Sequence, residues 1–246
     1  MHPLAQIPLA QVELHWDRAL SGGGETRTRQ LRGALATAFR EDDLFHQHDP
    51  LTGKSLYRYP KVQYRWHDGH GLILGWGDAA SRLLGLPWLD LALRLGEDTV
   101  SVTDAALTLT HGQFAIGDRL AYYRIQTPVL LFNQDNYRRY RTLAERERRD
   151  ERDRLLIAHL LTALRGLDIE FKGQLYAVFT QSIGHTCHYK GESLLGLRGE
   201  FVTNAILPVG FAFGHAVSHG YGEVIAMPGA PRKQEPAKSS RQSLAN

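Results

Sequence analysis

The chain has 246 residues, enough for one large domain or two of roughly 100–120 residues each. With 43% hydrophobic and 22% charged residues it has the balance of a folded globular protein, and a formal charge of +3 leaves a nucleic-acid partner open without requiring one. The single cysteine, Cys187, excludes an intrachain disulfide framework and a cysteine-based zinc cluster, and it fits a reducing compartment.

The opening MHPLAQIPLAQVELHWD lacks a basic start followed by a long apolar run, and no apolar stretch approaches the ~20 residues needed to span a bilayer. The expectation is a cytoplasmic protein without a signal peptide or a membrane partner. Val12, Leu14 and Trp16 alternate through IPLAQVELHW, 7–16, as in a strand. After the breaker SGGGE, Leu31, Leu35, Ala38 and Phe39 recur at helical spacing in TRTRQLRGALATAFR, 26–40. A polar loop follows. YRYPKVQYRWHDGHGLILGWG, 57–77, reads as a hairpin turning at His-Asp-Gly-His, and Asp78 can cap a short helix over DAASRLLGL. TVSVTDAALTL and RLAYYRIQTPVLLF then add β-rich segments.

This strand–helix–strand–strand–helix–strand order matches a split β-α-β, or ferredoxin-like, unit. The second half repeats the theme with one longer helix over 133–167. Its apolar stripe is confined to the C-terminal half, and its N-terminal half carries a run of arginines that includes Arg138 and Arg139. Such a run is either a solvated helix face laced with ion pairs or a row facing RNA. DIEFKGQLYAVFTQS, HTCHYK, SLLGLRGEFVTNAIL and the glycine-rich stretch after them read as strands, and a tail from about Met227 turns to Pro, Lys, Ser, Arg and Gln, as in disorder.

Three stretches could carry chemistry. In LFHQHDPLTGKSLYRYP, 44–60, His46 and His48 stand two apart, followed by Lys54, Tyr57, Arg58 and Tyr59. A histidine pair can take and give a proton in one reaction, with a nearby cation stabilising an anionic transition state. An inert surface loop and a zinc site are the other options, although no recognised ligand spacing accompanies the pair. In HTCHYK, 185–190, His185, Cys187 and His188 could bind a metal, but strand alternation scatters them, which favours core or edge residues. In GFAFGHAVSHGYGEV, 210–224, His215 and His219 would share a face of a helix and could hold a metal. Gly214 and Gly220 flank them and argue against a helix. As a loop, the stretch either approaches a phosphate backbone or is a structural turn.

Taken together, FHQHDPLTGKSLYRYPKVQYRW (45–66), YRIQTPVLLFNQDNYRRY (123–140) and GLRGEFVTNAILPVGFAFGHAVSHGYGEV (196–224) resemble, in order and spacing, three motif segments of a branch of CRISPR repeat-RNA endoribonucleases in the RAMP superfamily. The resemblance implies an α+β fold of two tandem ferredoxin-like (RRM-like) domains with a C-terminal glycine-rich loop, facing each other across a basic cleft. The domains would span residues 1–122 and 123–227, with a disordered tail over 228–246.

It also implies cleavage of CRISPR repeat RNA into mature guide RNAs with no metal or cofactor, by attack of the 2′-hydroxyl on the scissile phosphate. Guide RNA, in precursor and mature form, would be the partner, with subunits of a CRISPR effector complex as a further one. A RAMP-fold subunit of such a complex that holds guide RNA without cutting is the alternative. His46 and His48 match the branch's histidine pair and become the acid and base. Lys54 and Tyr57 match its downstream polar positions. RNA contacts are expected from Arg58, Arg138, Arg139, Gly214, His215, Ser218, His219 and Gly220. One departure stands out: where the family's loop carries Lys and Arg, this chain has His215 and His219, so phosphate binding through them should strengthen on acidification.

Overall fold

The structure, a computed structural model, describes residues 5–45, 59–170 and 172–228. The first unit runs β1 (Ala5–Trp16), α1 (Gly24–Ala38), β2 (Val62–His67), β3 (His70–Trp76), α2 (Asp78–Leu84), β4 (Ala92–Leu95) and the front of β5 (Asp98–Val129). The even positions Ala10, Val12 and Leu14 of β1 pack against Leu31 and Leu35 of α1 and Leu83 of α2, which is the alternation expected of a strand with one covered face. The hairpin turns where the sequence placed it. His67 pairs with His70, and Asp68 and Gly69 both have positive φ (49° and 86°), the backbone of a two-residue turn whose twist suits the strands. Asp78 does not cap α2. Gly77 holds that position, and the Asp78 carboxylate accepts from Lys61 Nζ at 3.0 Å instead.

The sheet runs β2-β3-β1-β5, all antiparallel: second, third, first and fourth strand of a ferredoxin-like unit, which is the 4-1-3-2 order read from the other edge. The second unit takes the back of β5 as its own first strand. It continues with α3 (Gln134–Thr142), α4 (Glu145–Gly166), β6 (Ala177–Tyr189), β7 (Glu192–Ile206) and β8 (Val224–Met227). Here β8 and β7 flank β5, and β6 pairs with β7, so the 4-1-3-2 order is repeated. Two ferredoxin-like units therefore share one 32-residue strand, and residues 122 and 123 lie inside it. The second helix of the repeat is replaced by the segment 207–223.

The single long helix expected over 133–167 is two helices. Leu143 and Ala144 between them are extended (ψ 148° and 160°), and the Glu147 carboxylate accepts from the Ala144 N–H at 2.8 Å to start α4. Leu155, Leu156, Leu160, Ala163 and Leu164 of α4 then fill the second core with Tyr123, Ile125 and Phe201. Leu156 and Leu160 are fully buried, and burial of such a side chain contributes about 1.5–3 kcal/mol. That core also takes in Leu9, Leu74 and Trp76 from the helix-free face of the first sheet, joined through Phe114 and Phe211. The two units are thus fused both by a strand and by packing. No described helix is long and apolar enough to cross a membrane.

Candidate functional site

The glycine-rich segment is neither a helix nor a strand before Val224. It is a loop holding one 3-10 turn, Val217–His219, between the left-handed residues Ala216 (φ 55°, ψ 30°) and Gly220 (φ 89°). A non-glycine residue in that region is strained, and such strain gathers where a backbone is shaped for a task. A left-handed residue followed by a helical turn makes a concave row of N–H groups suited to an anion. The N–H groups of Gly214 and Ala216 have no backbone acceptor among the described residues.

Both flanking glycines are also needed for packing. A Cβ on Gly220 would stand 2.9 Å from Thr28 Cγ2 of α1, and one on Gly214 would stand 2.7 Å from Val129 Cγ2 of β5. Ser218 is buried, its Oγ 3.3 Å from His219 Nδ1.

The two histidines part company. The His215 ring stands edge-on to His159, 4.8 Å between centroids, while His219 stands edge-on to Tyr189 at 5.0 Å. Among the described residues neither belongs to a cluster able to hold a metal, so the shared-metal option loses its geometry. HTCHYK fares the same way: Cys187 is buried and His185 and His188 are exposed. Burial lowers the pKa of His215. Burial, reinforced by the cations Arg32, Lys190 and Arg29, pushes His219 down to about 4. At neutral pH these loop histidines are uncharged, so they are not simple substitutes for Lys and Arg.

The positive charge comes from elsewhere. Arg29 and Arg32 of α1 and Lys190 in the β6–β7 turn surround His219, and none of the three makes an ion pair among the described residues. Arg29 also donates to the His188 carbonyl at 2.9 Å, bridging the two units. The expected arginine row is largely neutralised by contrast. Arg138 lies 3.8 Å from Asp135, Arg139 and Arg154 both engage the buried Glu151, and Arg149 and Arg152 share Glu145.

His46, His48, Lys54, Tyr57 and Arg58 lie outside the described residues, as do 229–246 of the tail. The residues on either side of the histidine segment are well fixed. Phe45 is buried in the first core and stacks on Phe39 with ring centroids 5.0 Å apart. Tyr59 is buried at the other end, and its hydroxyl donates to the Ala212 carbonyl of the glycine-rich segment at 2.6 Å. Burial pushes the Tyr59 pKa up to about 12, which keeps it a donor at any ordinary pH.

A polar chain continues from there. Gln63 donates to the Tyr59 hydroxyl at 2.9 Å, and buried Arg65 donates to Gln63 Oε1 at 3.0 Å and to the Val217 carbonyl at 3.3 Å. Arg65 Nε stands 3.5 Å from a Glu223 carboxylate oxygen. Tyr59 and Gln63, part of the motif resemblance, thus hold the glycine-rich loop against β2. Asn133 and Asn136 of the mid-chain motif exchange hydrogen bonds of 2.8 Å in a reciprocal cap at the start of α3.

Two ferredoxin-like units joined by a shared strand, the second carrying a glycine-rich loop beside a cluster of cations, define a RAMP-type protein. Profiles of two domains match this chain, the Cas6b N-terminal domain over residues 5–113 and the Cas6b C-terminal domain over 115–227, and the chain belongs to the Cas6b family. It resembles a solved Cas6b structure with TM-score 0.78 and 22% identity, over 91% of this chain and all of that one. A structure titled a CRISPR RNA processing endoribonuclease Cas6b matches with TM-score 0.67 and 21% identity, over 90% of this chain and all of that one. In sequence, the protein MJ0978 of Methanocaldococcus jannaschii is 26% identical over 133 residues, 54% of this chain and 90% of the relative.

Proposed function

We propose that the protein cleaves the repeat RNA of CRISPR transcripts by a metal-independent transesterification, with His46 and His48 as the proton-transfer pair. The observation that carries this is the Tyr59–Ala212 hydrogen bond, which ties the residue just after the histidine segment to the glycine-rich loop. Beside that loop stand an anion-shaped backbone turn and three cations without acidic partners among the described residues. One histidine takes the proton of the 2′-hydroxyl, whose oxygen bonds to phosphorus. The phosphorus–5′-oxygen bond breaks as the other histidine protonates the leaving oxygen. The products carry a 2′,3′-cyclic phosphate and a 5′-hydroxyl, so atoms and protons balance with no external reagent. Lys54 and the cations at the loop stabilise the charge that builds on the phosphoryl oxygens, and Tyr57 orients the phosphate. Arg29, Arg32 and Lys190 carry the main phosphate contacts, with Gly214 and Ser218 contributing backbone and Arg58, Arg138 and Arg139 outlying contacts.

The test is incubation of the purified protein with its cognate repeat RNA in EDTA. Cleavage to cyclic-phosphate ends is expected, lost in His46→Ala and in His48→Ala with RNA affinity retained. Wild-type rates in both variants would remove the histidine assignment. Intact RNA under saturating binding would favour a guide-holding subunit that does not cut.

A further inference from the structure

The helix-free face of the first sheet carries a cluster that this chemistry does not use. Glu13 and His15 are two apart on β1 and so project from the same face, and His70 begins the neighbouring strand β3. We propose that Glu13, His15 and His70 form a binding site for a single zinc-class divalent ion, bound through two imidazoles and one carboxylate. One potential ligand atom from each lies within 4.8 Å of the other two.

His15 Nε2 and Glu13 Oε1 are 3.3 Å apart, while ligands about 2.0–2.1 Å from a tetrahedral ion are about 3.4 Å from one another. That pair therefore stands at coordination distance without rearrangement. The His15 and His70 rings stand 4.2 Å apart between centroids. A glutamate–histidine contact alone would explain the first pair, but it leaves His70 Nδ1 buried with no hydrogen-bond partner among the described residues. A buried imidazole nitrogen without a partner, on a histidine that stands beside two further potential ligands, is a group that a metal ion would satisfy.

The scaffold is stiff in the right places. Trp16 Nε1 donates to the Gly69 carbonyl at 3.0 Å, pinning the β2–β3 turn to the end of β1, and Trp16 stacks on Trp66. Asp104 registers opposite His15 on β5 and adds a second negative charge to that side. Two imidazoles with a carboxylate suit Zn²⁺, Ni²⁺ or Co²⁺ rather than Mg²⁺ or Ca²⁺, which prefer oxygen ligands throughout. Three protein ligands leave a coordination position for water. The ion would clamp β1 to β3, so its first effect is on stability, and EDTA-resistant cleavage is compatible with it.

The experiment titrates Zn²⁺ into metal-stripped full-length protein by calorimetry and follows thermal unfolding with and without the ion. One ion per chain is expected, and a hundredfold excess over Kd should raise Tm by about 5 °C or more. Glu13→Gln, His15→Gln and His70→Gln should each weaken binding at least tenfold. Exposed His188→Gln, a change elsewhere among the 12 histidines, should leave it unchanged. Glu13→Gln keeps the proposal testable if a histidine variant fails to fold. Absence of stoichiometric binding, or binding undiminished in all the folded ligand variants, would overturn the site.

Discussion

Replacing Arg29, Arg32 and Lys190 together by glutamine isolates the charge that has no acidic partner among the described residues. Each phosphate contact by a cation releases counterions, so log K falls with log salt by about 0.7 per contact for single strands and about 0.9 for duplex. Three contacts contribute about 2–3 to that slope, or roughly a hundredfold in affinity at 0.1 M salt. The same arithmetic applied to Arg138→Gln with Arg139→Gln gives a smaller change, because Asp135 and Glu151 already answer those charges. Repeat-RNA binding is measured by filter retention or fluorescence anisotropy from 50 to 400 mM salt, with unfolding curves recorded for each variant. The triple variant should lower the slope by about 2 or more, and the double variant by less than 1. An unchanged slope in the triple variant, or the larger loss in the double variant, would refute the assignment of the phosphate track to α1 and the β6–β7 turn.

Tyr59→Phe removes a buried donor from the Ala212 carbonyl and an acceptor from Gln63, so it should cost about 1–3 kcal/mol and lower Tm by several degrees. Repeat-RNA cleavage should fall with it even where the protein is fully folded; full activity would mean that the hydrogen bond does not organise the site. The depressed His219 pKa makes the pH prediction opposite to that of an exposed histidine. The folded form is neutral down to about pH 4 while the unfolded form binds its proton near 6.5, so the associated stability is complete above about 6.5 and is lost as pH falls toward 4. Between pH 8 and 6, RNA affinity should not rise through His219. Resistance to urea should fall below pH 6 in wild type and less so in His219→Gln. A gain in affinity across pH 8 to 6 that vanishes in His219→Gln would show that the imidazole is protonated against RNA.

The elements with strong local signals were legible in the sequence: the alternation of β1, the periodicity of α1 and the His-Asp-Gly-His turn. The break between α3 and α4 was not, because neither proline nor glycine marks it. It is made by an extended Leu143–Ala144 step and a glutamate that caps from three residues on. The second unit lacks its second helix for a reason the sequence did advertise, a glycine-rich stretch that cannot sustain one. The cation cluster was hidden because Lys190 lies 158 and 161 positions beyond Arg32 and Arg29, and the three meet only once α1 and the β6–β7 turn are brought to the same loop. Tyr59 and Gln63 were visible as motif residues, yet their bond to residue 212 is a fact of tertiary packing. The zinc-site candidate was invisible for a similar reason: His70 belongs to the hairpin turn by sequence and joins Glu13 and His15 only through the pairing of β3 with β1.

The strand shared by the two units has a mechanical consequence. Residues 102–114 of β5 are bonded to β1 and residues 115–129 to β7, with the ladder interrupted between Ile116 and Ala121. Neither sheet can lose its first-unit or second-unit edge without exposing backbone that belongs to the other, so unfolding should spread through the molecule as one transition. Amide exchange would then report a single slow class across β5 on both sides of a fast window at 117–120.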